Sequence, residues 1–259
     1  ILGANGSGKS TFMKILPGLI MNWSGKIFYK DKIVRKNSML LKKNFGYLIE
    51  SPSFYGYLSA KHNLEILARI SNTTNKRISH VLDIVNLTDR AYDKVNSYSY
   101  GMKQRLGIAQ SLLHNPDIII LDEPNNGLDP NGIRDMTQLI KNLQSEGKTV
   151  CLSTHNLRDV EELCTDFTIF NKGVNSIVSS MNKQLEKSKK WLLVAEDLKG
   201  VREILDKSKK FKCIAFFNNK ITLESESNDT LNDLTNLLRQ FKIHSISKES
   251  NLIEHFNDD

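Results

Sequence analysis

The run Gly3-Ala4-Asn5-Gly6-Ser7-Gly8-Lys9-Ser10-Thr11 has the residue types and spacing to grip phosphate. Gly3, Gly6 and Gly8 admit backbone angles closed to residues with a Cβ, so successive N–H groups can converge on one anion. Lys9 brings a point charge suited to the β- and γ-phosphates of a nucleotide, and the Ser10 hydroxyl suits Mg²⁺. A helix opening at the end of the run would add its positive pole. An ordinary glycine turn before a helix has similar local composition, so the reading depends on the rest of the chain.

Three later stretches bear on it. Ile118-Ile119-Ile120-Leu121 is a continuous apolar run of the kind buried on both faces of a parallel sheet, and it ends in Asp122-Glu123. Alternation sends adjacent strand side chains to opposite sides, so one acid can hold hydrated Mg²⁺ while the other faces an attacking water. Acids also end strands for structural reasons, but a phosphate loop in the same chain favours chemistry. Thr149-Val150-Cys151-Leu152-Ser153 is a second buried strand, delivering Thr154-His155 to its end. Such a histidine is a capping residue or, beside parallel strand ends where ligands collect, a site residue. Ser99-Tyr100-Gly101-Met102-Lys103-Gln104-Arg105 opens a helix whose N-terminus again offers donors to an anion, while Met102, Leu106, Ala109 and Leu113 form its core stripe.

The elements that must position these residues follow from pattern. Thr11 to Leu16 is helical in composition, and Pro17-Gly18 ends or kinks that helix. Strands are predicted at Lys26–Tyr29 and Phe45–Ile49, helices from about Ser59 to Leu113 with a loop at 71–75, and a helix from Gly132 to Glu146. Asp166–Phe170 and Asn175–Val178 read as a closing hairpin. Beyond residue 181 a charged run, Lys183 to Lys190, precedes strands near 191–194, 213–217 and 220–223 and helices near 200–205 and 231–241. The expected architecture is therefore α/β: a mainly parallel sheet core over 1–180 with a helical subdomain at about 51–115, then a small α+β extension over 181–259. Only Ile1 and Leu2 precede the glycine loop, where a buried strand is normal, so the first strands are expected to lie upstream of this sequence.

Composition sets the outer bounds. A 39% hydrophobic content supports a sizeable core, and the sequence has neither an apolar run of eighteen residues nor a basic-then-apolar leader. Cys151, Cys164 and Cys213 lack C-x-x-C spacing and read as reduced structural thiols. The net charge of +7 is uneven, with 22 Lys and Arg against 16 Asp and Glu before the extension and 14 against 13 within it. That excess suits a polyanionic ligand, nucleic acid, an acidic membrane surface or a lysine-rich solvated surface.

Taken in order, the motifs resemble the nucleotide-binding subunit of ATP-binding cassette (ABC) transporters. The glycine loop matches Walker A, Tyr98 to Arg105 the signature, Ile118 to Pro124 Walker B, Gly127-Leu128-Asp129-Pro130 the D-loop, and Ser153-Thr154-His155 the switch histidine. The resemblance implies a homodimer, or a pair with a related ATPase subunit, that sandwiches two ATP molecules between one copy's Walker A and the other's signature. It implies nucleotide contact by Gly3 to Thr11, Glu50, Ser99, Gly101 and Asp129, Mg²⁺ on Ser10 and Asp122, water polarised by Glu123, and γ-phosphate sensed by His155. A transmembrane permease partner and a peripheral place on the cytoplasmic face of the cell membrane follow from the same likeness.

Departures narrow it further. Tyr100 and Met102 stand where the common signature has Gly and Gln, and Glu50 replaces the usual glutamine after the second strand. Glu50 with its flanks, Tyr47 to Phe54, looks like the bacterial exporters giving immunity to lantibiotics and peptide antibiotics such as bacitracin. The family's adenine-stacking aromatic residue falls upstream of Walker A. A soluble ABC ATPase acting on ribosomes or DNA is the alternative; the 90-residue spacing from Lys9 to Ser99 leaves no room for a long coiled-coil insertion, and no second cassette follows. Nucleic acid is therefore not an expected partner. Intact Lys9, Asp122, Glu123 and His155 speak against a module that binds without hydrolysing.

Overall fold

A computed structural model describes residues 1–36, 38–71, 73–208, 210–217, 220–225 and 231–250. Contacts divide the chain into two compact units, one formed by residues 1–163 and 168–177, the other by 164–167 and 178–259.

The first unit opens with Ile1–Gly3, which runs in strand fashion. Leu2 pairs in parallel with both Thr154 and Ile169 and is fully buried. The glycine loop then enters α1 (Lys9–Ile15), a short helix that stops before Pro17 as its sequence predicts. A hairpin of β1 (Ile27–Tyr29) and β2 (Lys32–Val34) leads through α2 (Met39–Asn44) to β3 (Phe45–Leu48). Helices α3 (Ala60–Ile70), α4 (Asn75–Ile84) and α5 (Tyr100–Leu112) come next, each started by a hydroxyl cap from Ser59, Thr74 and Ser99 respectively. They lead to β4 (Ile118–Asp122), α6 (Pro130–Ser145), β5 (Thr149–Ser153), α7 (Leu157–Leu163), β6 (Asp166–Asn171) and β7 (Val174–Ser180).

Strands β3, β4 and β5 form a parallel sheet in that order, with Tyr47, Ile120 and Cys151 in one register. Ile119, Ile120 and Leu121 are fully buried, as expected of a central strand covered on both faces. Close packing of α5 on β3 requires glycine at 46, where a Cβ would lie 2.2 Å from the Ser111 carbonyl oxygen. This parallel order brings the ends of β4 and β5, with Asp122 and Ser153, side by side.

In the second unit α8 (Met181–Lys187) precedes β8 (Lys190–Ala195), α9 (Leu198–Ser208), β9 (Phe211–Phe217), β10 (Lys220–Ser225), α10 (Leu231–Leu237) and β11 (Ile243–Lys248). The sheet order β11-β8-β10-β9 is antiparallel throughout, the split βαβ arrangement of ferredoxin-like domains. Leu193, Val201, Leu205, Ile221, Leu223, Leu234 and Leu238 form its core. The α+β character expected of this region is present, and α8 and β11 are elements beyond those that its pattern predicts. Ser180 caps α8 by accepting from the Lys183 N–H at 3.3 Å, which starts a helix inside the charged run.

Candidate functional site

The glycine loop is curled by left-handed backbone at Gly6 (φ 82°) and Gly8 (φ 103°), angles costly for any residue with a Cβ. Gly3 fills a different need: a Cβ there would lie 2.5 Å from the Phe170 carbonyl oxygen. From β6 and its turn, Gly173 donates its N–H to Ser7 O at 2.9 Å, and Phe170 stacks against Phe12 at 5.4 Å, so the loop rests on that hairpin. Ala4, Asn5 and Gly6 form the exposed rim, Ser7 and Lys9 are buried, and Ser10 and Thr11 begin α1. Gly8 supplies no side-chain cap, so the first-turn N–H groups of α1 face outward from the helix end without one.

Lys9 is 5% exposed, and its Nζ donates to Gly3 O at 2.8 Å and Ala4 O at 3.1 Å. The same ammonium lies 3.4 Å from Glu123 Oε1, and Glu123 Oε2 lies 2.7 Å from His155 Nδ1. One carboxylate thus joins the phosphate loop to the end of β5. Glu123 adopts φ 50°, so it has left the strand conformation. Its separation from Asp122 comes from this turn as much as from strand alternation. Ser153 couples the pair: its hydroxyl donates to Asp122 Oδ1 and accepts from the Glu123 N–H at 3.0 Å.

A second tie lies beneath. Asp159 on α7, 9% exposed, accepts from Thr154 Oγ1 at 2.7 Å and Asn125 Nδ2 at 2.9 Å. Sequence reasoning takes Ser153 and Thr154 only as motif letters and passes over Asn125 and Asp159. The acid five residues after Thr154 is a visible clue, but its reach across to the β4 loop exists only in the fold.

Ser99 and Gly101 stand elsewhere in this unit. They line a groove of about 360 Å³ with Tyr100, Arg105, Gly127 and Asp129. Asp129 caps α6 through the Gly132 N–H at 3.1 Å, and the Tyr100 ring lies against Gly127. Among the described residues no hydrogen bond or ion pair joins Ser99, Gly101 or Asp129 to the glycine loop. Glu50, at φ 66° after β3, places its carboxylate 2.5 Å from Lys14 Nζ at the far turn of α1. The Lys14 ammonium holds that carboxyl below the usual carboxylate range, and Glu50 in return raises Lys14.

Hard oxygen donors stand at the start of α1 and at the end of β4: the Ser10 hydroxyl, and the carboxylates of Asp122, which accepts from Ser153 Oγ, and Glu123, 3.4 Å from Lys9 Nζ. Such a set fits Mg²⁺, which takes one or two protein oxygens and completes its shell with phosphates and water. Among the described residues there is no cluster of three or more His, Cys, Asp and Glu that could cage a metal. No helix there is long and apolar enough to cross a membrane.

Comparison with known proteins returns the family that the motifs suggested. The ABC transporter family model matches residues 1–126. The bacitracin transport ATP-binding protein BcrA of Bacillus licheniformis is 43% identical over 174 residues, 66% of this chain and 57% of its own length. The lantibiotic transport ATP-binding protein SrtF of Streptococcus pyogenes is 41% identical over 170 residues, 66% of this chain and 72% of its own. CbiO1 of Clostridium perfringens, part of an ABC transporter complex, superposes with a TM-score of 0.63 at 26% identity, covering 70% of this chain and 76% of that one. The match to BcrA spans little more than half of that protein's length.

Proposed function

This chain belongs to the ABC transporter family of ATP-binding proteins, and on that premise we propose that it binds and hydrolyses ATP to drive a membrane permease. The observation that carries this reading is the single carboxylate of Glu123 touching Lys9 on one side and His155 on the other. In this scheme the amides of Gly3 to Thr11 hold the phosphates and Lys9 offsets the charge at the β- and γ-positions. Ser10 and Asp122 hold Mg²⁺, which when bound neutralises and orients phosphate oxygens. Glu123 accepts the proton of the attacking water, and His155 bonds to the γ-phosphate while keeping Glu123 aimed.

Ser99 and Gly101 lie in a groove separate from the loop, so a second copy supplies them and Asp129 flanks the joint. Glu50 stands where the nucleotide end of the site meets the permease, and its pairing with Lys14 sets how much negative charge it presents. ATP closes the dimer and hydrolysis reopens it, an equilibrium biased by the γ-phosphate. The cargo is a peptide antibiotic or similar amphiphile, the class named for BcrA and SrtF. The assembly lies on the cytoplasmic face of the membrane.

Mixing two inactive variants of the full-length protein tests this. Lys9→Met spoils one half of each site and Ser99→Phe the other, so each alone should be inactive towards Mg·ATP. Mixed dimers keep one intact site, and an equal mixture should regain about a quarter of wild-type turnover. No recovery on mixing, or full activity in Lys9→Met, contradicts the proposal. Co-purification with a multi-span permease tests the transport half.

A further inference from the structure

Glu123 and His155 sit on different loops, one after β4 and one after β5, yet their side chains meet at 2.7 Å. Something must fix the distance between those loops. Ser153 ties the strand ends, but it reaches no farther than the Glu123 N–H. Beyond that point the β4 loop is held by Asn125, whose Nδ2 donates to Asp159 Oδ1 at 2.9 Å. On the other loop Thr154, 1% exposed, donates its hydroxyl to Asp159 Oδ2 at 2.7 Å. The direction of that proton is determined. Thr154 Oγ1 already accepts from the Asn156 N–H at 2.9 Å, so its one hydrogen is left for the carboxylate.

Each oxygen of Asp159 therefore holds one loop. Asn125 is two residues past Glu123, and Thr154 is one residue before His155. The Asn125 amide cannot turn over without directing its oxygen at the carboxylate, and its Oδ1 is buried without a partner among the described residues. Resting on the reading of Glu123 and His155 given above, we propose that Asp159 is a positioning residue: a buried carboxylate clamp that sets the Glu123–His155 geometry needed for hydrolysis.

No side chain of the clamp bonds to Lys9 or to the glycine loop, and Thr154 meets that loop only through its main chain, where its carbonyl accepts the Gly3 N–H at 3.2 Å, so the clamp acts far more on turnover than on nucleotide capture. A misplacement of about 1 Å between reacting groups costs on the order of 100-fold in rate. Full-length Asp159→Ala should therefore lose between about 10- and 100-fold in kcat, with a much smaller change in its ATP dissociation constant. Asp159→Asn keeps one acceptor and should fall between. Thr154→Val removes one strand of the clamp and leaves Asp159 Oδ2 without that donor, and its kcat loss should not add to that of Asp159→Asn.

Amide hydrogen exchange in the nucleotide-free protein reads the clamp separately from catalysis. Asp159→Asn should speed exchange at Asn126 and Asn156, and Thr154→Val, which itself deletes the acceptor of the Asn156 N–H, should speed it at Asn126. Unchanged exchange overturns the clamp. Faster exchange with wild-type kcat overturns its role in positioning, as does an equal loss in ATP affinity and kcat. Wild-type turnover no faster than that of Glu123→Gln would instead overturn the reading of Glu123, and the positioning role with it, whatever the exchange shows.

Discussion

Replacing Gly3 by alanine should both destabilise the first unit and weaken ATP binding, for one steric reason. The new Cβ would lie 2.5 Å from Phe170 O and 2.5 Å from Ser7 Oγ, where ordinary contact begins at 3.4 Å, so roughly 0.9 Å of movement is required. Ser7 can rotate its hydroxyl away. Phe170 cannot follow so easily, because its N–H donates to Leu2 O at 2.8 Å while the Gly3 N–H donates to Thr154 O at 3.2 Å. Relief stretches that ladder, and overpacking of this kind costs about 1–3 kcal/mol. With about 2–4 °C lost per kcal/mol in a unit of this size, Tm should fall by about 2–12 °C. The Lys9 ammonium bonds to Gly3 O at 2.8 Å and moves with it, so ATP affinity falls together with Tm. Gly6→Ala is the control: its Cβ meets open space and only the backbone at φ 82° is strained, about 1–2 kcal/mol. Thermal denaturation and ATP titration of both variants decide it. A Gly3→Ala protein that melts and binds ATP like the wild type would refute the reasoning.

Two further outcomes rest on the same geometry. Ser153→Ala removes the hydroxyl shared by Asp122 and the Glu123 N–H, and a bond to a charged group is worth about 1.5–3 kcal/mol, so kcat should drop by at least about tenfold in steady-state assays. His114 is held below the usual histidine range by burial, partly offset by its bond to the Phe45 carbonyl. A depressed folded value means that its contribution is complete above the unfolded pKa of about 6.5 and is lost as pH falls through the folded value. Tm measured at pH 7 and pH 5 should therefore drop more in the wild type than in His114→Gln.

Much of the first unit is legible in the sequence because its elements obey simple patterns. The apolar run before Asp122, the stop at Pro17-Gly18 and the helix opening at Ser99 each have a local cause that survives in the fold, whereas α6 begins at Pro130 under an Asp129 cap, two residues before the Gly132 start that the pattern predicts. The short pieces β2, α2 and α7, three to seven residues long, give too few repeats for a period to show. At the site, residue types announce phosphate chemistry, whereas the links that set its geometry join residues far apart in sequence. Glu123 reaches Lys9 across 114 positions and His155 across 32. The left-handed turn at Glu123 and the Lys14–Glu50 pair likewise depend on neighbours that only the folded sheet supplies.

Hydrolysis of bound ATP in a single turnover, compared between wild type and Glu123→Gln, tests the central claim most directly. The amide keeps the size of the side chain and gives up the proton acceptor, so ATP should still bind while the rate falls by about 10²- to 10⁴-fold. Equal single-turnover rates in the two proteins would contradict the assignment of Glu123 as the base.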